Sequence, residues 1–150
     1  MEEDAEIQLT RFIGKFTPAM QEQIRACRAA LRQRLPNAVE LVYDNYNFFV
    51  IGYGPTTKSS EAWFSLTADR NGTSLVFLQR GPELPDPHQL LRGAGKKVRS
   101  ISLTGPETLT RPEVEALIQA ELELASIPPT QAAGPALIIK SVSAKQRPRQ

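Results

Sequence analysis

The sequence predicts an α+β domain, an antiparallel β-sheet flanked by two N-terminal helices and a C-terminal helix. Three observations predict it. Apolar residues recur at helical spacing before Pro36 and again after Pro112. Between these stretches, runs rich in β-branched and aromatic residues follow one another with short links, which favours antiparallel pairing. Eight of the ten aromatics (one Trp, three Tyr, six Phe) fall within 43–77.

Leu9, Phe12, Ile13 and Phe16 stand at i, i+3, i+4 and i+7, one face of a helix within 3–16. Its start is acidic and its end carries Arg11 and Lys15, as the macrodipole favours. Thr17-Pro18 reads as the N-cap and first residue of a second helix, 18–35. That helix is expected to bury Met20, Ile24, Cys27, Leu31 and Leu35 and to stop at Pro36. Strands are expected at Val39–Tyr43, Asn47–Tyr53, Glu61–Ala68 and Thr73–Gln79, with Asn71-Gly72 as a hairpin signal. Asp86-Pro87 is expected to open a helix of little more than one turn, closed by Gly93. Val98–Leu103 reads as a fifth strand. Thr110-x-x-Glu113 reads as a capping box for a last helix that buries Val114, Leu117, Ile118 and Leu122.

The chain has 150 residues, 41% hydrophobic and 23% charged, which suits one soluble globular domain with a sizeable core. No apolar run approaches the length of a membrane span. Met1-Glu2-Glu3-Asp4 lacks a secretory apolar region, so a cytoplasmic location is expected. One cysteine and one histidine argue against a disulfide framework, a zinc finger and a multi-histidine metal centre. No cofactor is expected. The formal charge is +2, yet residues 126–150 carry +4 and no acid. The domain is therefore set at 1–125, and 126–150 is expected to be a flexible, basic, Pro-containing extension. Nucleic acid is expected only nonspecifically through that tail. Its short apolar run Leu137–Ile139 could dock on the body.

Several residues could carry chemistry. In Arg92-Gly93-Ala94-Gly95-Lys96-Lys97-Val98-Arg99, two glycines and a group of cations could hold an anion through backbone amides and Lys96. The stretch lacks the spacing and hydroxyl of a phosphate-binding Walker loop. Arg99 shares a strand face with Ile101 and Leu103, so it needs a partner. Glu40 or Asp44 could supply one, or a ligand carboxylate or phosphate could. Tyr43, Tyr46 and Trp63 could line a pocket with their polar tips, Trp63 sharing the more polar strand face with Ser65 and Thr67. His88 could act as a general base oriented by Asp86. Glu2, Glu3, Asp4 and Glu6 offer a hard-metal surface or, alternatively, a stabilised helix start. Cys27 falls on an apolar helix face and reads as core.

Two runs share the order and spacing of a known family: Leu35-Pro36-x-x-x-Glu40-Leu-Val-Tyr43, and Leu75-x-Phe77-x-x-x-Gly81-x-x-Leu84-x-Asp86-Pro87-x-x-Leu90-Leu91-x-Gly93-x-Gly95-Lys96-x-x-Arg99-x-Ile101. They resemble the YdhG-like family, a mostly bacterial domain of unknown function. The resemblance spans residues 18–125, with Gly81–Ile101 its specific part. It implies an α+β domain with terminal helices. One group of that family is described as frataxin-like iron chaperones, which would give Glu2, Glu3, Asp4 and Glu6 to iron. Here the second helix is instead rich in arginine. The proline that many members carry soon after the tyrosine is also absent from Tyr43-Asp44-Asn45-Tyr46-Asn47-Phe48. The expected function is a noncatalytic cytoplasmic binding module for a small anionic ligand or a protein partner. An iron-binding chaperone and a His88-centred acid–base enzyme are the alternatives.

Overall fold

Asp4 caps the first helix, its carboxylate accepting from the Glu6 backbone N–H at 2.8 Å. That helix, α1, covers Ala5–Ile13 in a computed structural model that describes residues 4–150. Thr17 caps α2 (Pro18–Arg34), with Pro18 in its first turn, where a missing N–H costs nothing. Five strands follow in a meander: β1 (Val39–Asp44), β2 (Phe49–Gly54), β3 (Phe64–Asp69), β4 (Gly72–Phe77) and β5 (Arg99–Leu103). Helices α3 (Pro106–Leu109) and α4 (Pro112–Leu124) come next, then β6 (Ala136–Val142).

The α+β class holds, and the sheet is mixed rather than wholly antiparallel. Its order is β5-β4-β3-β2-β1-β6, and β6 lies parallel to β1. Strand alternation sorts the two faces. Val42, Ile51, Leu66, Leu75 and Ile101 stand in one cross-strand row, and Tyr53, Phe64 and Phe77 in the next. These rows belong to a core that includes Leu9, Phe12, Phe16, Ile24, Leu31, Val114 and Leu117. Phe12 and Phe16 meet Phe49 at 6.5 and 6.1 Å between ring centroids. Full burial of each large side chain contributes about 1.5–3 kcal/mol. The opposite face carries hydroxyls toward the β5 side, with Ser65 and Thr67 on β3, Ser74 on β4 and Ser100 and Ser102 on β5, and apolar or aromatic residues elsewhere, with Leu41, Tyr43, Val50 and Val76 in the same cross-strand rows.

Several local expectations are corrected. Residues 126–150, set apart as a flexible extension, include β6, and the tail returns to the body: buried Arg149 pairs with Asp44. A strand that pairs only with a distant segment leaves little local signal. The turn at 86–91 is not a helix, because Gln89 takes φ 53° and Asp86 uses both carboxylate oxygens on the N–H groups of Leu90 and Leu91. Thr110 forms no capping box: its hydroxyl donates to the Glu107 carbonyl, and Arg111 occupies the N-cap of α4. The β3–β4 hairpin exists, with Arg70 and Asn71 as its turn and Gly72 already paired with Asp69. Asp69 Oδ1 accepts from the N–H groups of Asn71 and Gly72 and closes that turn.

Candidate functional site

The residues singled out in the sequence do not converge on one place. Glu40 and Asp44 lie on β1, four positions across the sheet from Arg99 on β5, about 19 Å at ordinary strand spacing. Neither can pair with Arg99. Arg28 takes Glu40 instead, donating to its two carboxylate oxygens at 3.0 and 2.9 Å. The buried Tyr53 hydroxyl adds a third hydrogen bond to Glu40 at 2.9 Å. Burial, with the Glu40 carboxylate beside it, holds the Tyr53 phenol well above its ordinary range. Arg28 also reaches Glu6 at 2.9 Å, and that hydrogen bond lowers the Glu6 carboxyl below its usual value. This polar network lies under α2 and locks the helix to β1.

Arg99 is half-buried, and its Nη1 donates to the carbonyls of Gly95 and Val98 at 2.6 and 2.8 Å. It therefore staples the 95–98 loop. Lys96 is exposed on that loop. Trp63 is buried, with its indole N–H committed to the Ile127 carbonyl at 2.9 Å. A cleft of about 140 Å³ beside it is lined by Glu61, Gln79, Arg80 and Ser126, among others. Tyr43 lies elsewhere, its hydroxyl sharing a hydrogen bond with Ser59. Tyr46 is half-exposed at the β1–β2 turn.

His88 is exposed, makes no hydrogen bond among the described residues and borders none of the clefts described here. Asp86, its supposed orienter, is spent on two backbone N–H groups. Of the acidic opening, Glu2 and Glu3 lie outside the described residues, Asp4 caps α1 and Glu6 pairs with Arg28. No group of three or more His, Cys, Asp or Glu among the described residues is placed to hold a metal ion. Cys27 is buried, and desolvation pushes its thiol up to about 11, so it stays protonated and inert at neutral pH. No helix among the described residues is long and apolar enough to cross a membrane.

A better-equipped place lies where two turns meet the returning tail. The β1–β2 turn carries Tyr46, Asn47 and Phe48, and the β3–β4 turn carries Arg70 and Asn71. The tail is pinned across the first of these. Arg147 donates its backbone N–H to the Tyr46 carbonyl at 2.8 Å and its Nε to Asn47 Oδ1 at 2.8 Å. Its guanidinium lies 5.6 Å from the Tyr46 ring centre. Arg149 anchors the end of the tail, giving Nη2 to Asp44 Oδ1 at 3.0 Å and to the Asn45 carbonyl at 2.7 Å.

These turns border a cleft of about 300 Å³ lined by Asn47, Phe48, Asp69, Arg70, Asn71 and Arg147. Arg70 makes no hydrogen bond or ion pair among the described residues, and the two Nη groups of Arg147 are likewise free there. The cleft thus presents two guanidinium groups against one carboxylate. Guanidinium forks match the oxygens of phosphate or carboxylate groups. Sequence reasoning counted Phe48 only as sheet and assigned Arg147 to a loose tail. Nothing local in the sequence shows that the tail crosses the 44–48 turn, and an unpaired arginine in a hairpin turn is a weak signal by itself.

No family model, curated protein or solved structure matches the chain. The chain is an α+β domain with a cleft bordered by Arg70 and Arg147.

Proposed function

We propose that this protein is a noncatalytic binding domain for a small anionic ligand, and that the anion sits in the cleft between Arg70 and Arg147. The observation that carries the reading is that pair of guanidinium groups, neither matched to a carboxylate, bordering one concavity of about 300 Å³. Arg28, Arg34, Arg80, Arg111 and Arg149 pair with acids, and Arg25, Arg92 and Arg99, which have no acid partner among the described residues, border none of the clefts described. The Lys96–Arg99 stretch supports the same function less well, because Arg99 is spent on its own loop. With this reading we also propose kinship to the YdhG-like family, on the spacing of Gly81–Ile101, and a cytoplasmic setting.

A thermal-shift titration with inorganic pyrophosphate tests it. A ligand that binds only the native state stabilises it by about 2.7 kcal/mol at a hundred times Kd. The expected result is a saturable rise in Tm that is lost in the folded Arg70→Ala/Arg147→Ala double variant and kept in Lys96→Ala. A rise that survives in the double variant, or no rise in the parent protein, defeats the reading.

A further inference from the structure

The cationic cleft adjoins a second one of about 300 Å³ on the hydroxyl-bearing β3–β5 part of the sheet, and the two share Phe48, Asp69 and Asn71. Resting on the proposed anion site, we infer that the ligand is a ring-bearing organic phosphate, its phosphate between the arginines and its polyhydroxylated ring over the hydroxyl row of the sheet.

Four observations carry this. Thr67, Ser74 and Ser102 are direct cross-strand neighbours on β3, β4 and β5, and all three line the second cleft. Strand pairing sets successive hydroxyls about 4.8 Å apart, a spacing that suits hydroxyls around a sugar ring. The hydroxyls of Ser74 and Ser102 have no hydrogen-bond partner among the described residues, so they are available as donors and acceptors. Phe48 borders both clefts and is 44% exposed, unusual for a phenylalanine beside a core that buries Phe12, Phe16, Phe49, Phe64 and Phe77. An exposed aromatic ring beside polar groups offers a stacking face for a base or for the C–H face of a sugar.

Charge sets the orientation. Asp69 Oδ1 is tied to the β3–β4 turn, whereas Oδ2 has no hydrogen-bond partner among the described residues. A carboxylate accepts from ligand hydroxyls and repels phosphate. Arg70 and Arg147 border only the first cleft and Ser74 and Ser102 only the second. The phosphate end and the hydroxyl end of the ligand are thereby assigned to opposite sides of Phe48.

Isothermal titration calorimetry with adenosine monophosphate, glucose phosphate and inorganic phosphate tests this on the full chain. At least one ring-bearing phosphate should bind about tenfold tighter than inorganic phosphate. Adenosine monophosphate leading identifies a nucleotide, with Phe48 stacked on the base. Glucose phosphate leading identifies a sugar phosphate. In either case Phe48→Ala should narrow that advantage, and Ser74→Ala/Ser102→Ala, which touches only the second cleft, should remove it and leave inorganic phosphate binding as in the parent. Equal affinity for all three overturns this inference and leaves the anion site standing. Binding of none overturns both. A tenfold advantage that survives both variants places the ring elsewhere and also overturns the inference.

Discussion

Glu121 has no solvent exposure, and its carboxylate accepts from the Arg80 backbone N–H at 2.8 Å while Oε2 has no partner among the described residues. Burial pushes this carboxyl up to about 7, with the backbone N–H groups of 78–80 opposing the shift only in part. The consequence for stability has a definite sign. The folded carboxyl keeps its proton to about pH 7, while the unfolded one releases it near 4.5. Between those values the native state binds more protons, so stability falls as pH rises and the loss is complete above the folded pKa. Its size is on the order of 3 kcal/mol. Glu121→Gln keeps an acceptor for Arg80 and cannot ionise, so denaturant melts across that window should lose the downward slope. An unchanged slope would assign the effect to another group. At this scale the sequence was partly legible. The core position of Phe64 follows from strand alternation and that of Cys27 from helical spacing, whereas Trp63, expected on the more polar strand face, precedes β3 and is buried in the same core cluster as Phe64. The partners of Glu40 and Arg99 do not, because pairing across a sheet depends on strand order, which no local pattern encodes.

At the scale of elements, the strongly periodic segments were readable. The Thr17-Pro18 start of α2 and the first five strands lie close to their expected positions, because burial on one face imposes a period that survives in sequence. The irregular connection between β4 and β5 was not readable. It is held by close backbone approach: Gly81 N–H donates to the Lys97 carbonyl at 2.9 Å, and a Cβ on Gly81 would stand 2.6 Å from Arg99 Cγ and 2.8 Å from that carbonyl oxygen. Gly93 adds a φ of 122°, open to glycine and strained for other residues. Gly81→Ala should therefore cost about 1–3 kcal/mol by overpacking. Gly72→Ala is the matched control, since a Cβ there meets nothing within 4 Å. Urea denaturation of the two variants should separate them, and equal midpoints would contradict the account of this connection.

For the whole molecule, the tail completes both the sheet and the proposed site. β6 covers the outer edge of β1, and Arg149 lies against the fully buried Asp44, which Lys15 also reaches at 2.7 Å. Removing one partner of a buried pair leaves the other charge incompletely matched. Arg149→Ala should cost about 3 kcal/mol by chemical denaturation. It should also release Arg147 from the 44–48 turn and weaken anion binding in the molecules that remain folded. A stability change within about 0.5 kcal/mol, the range of ordinary surface substitutions, would show that the tail is dispensable.

The proposed site puts the anion between Arg70 and Arg147. Backbone amide chemical shifts followed during titration with inorganic phosphate test it most directly. Saturable shifts are expected at Asn47, Phe48, Arg70, Asn71 and Arg147, with Lys96 and Arg99 unmoved. Saturable shifts centred on 95–99, or none anywhere, would contradict it.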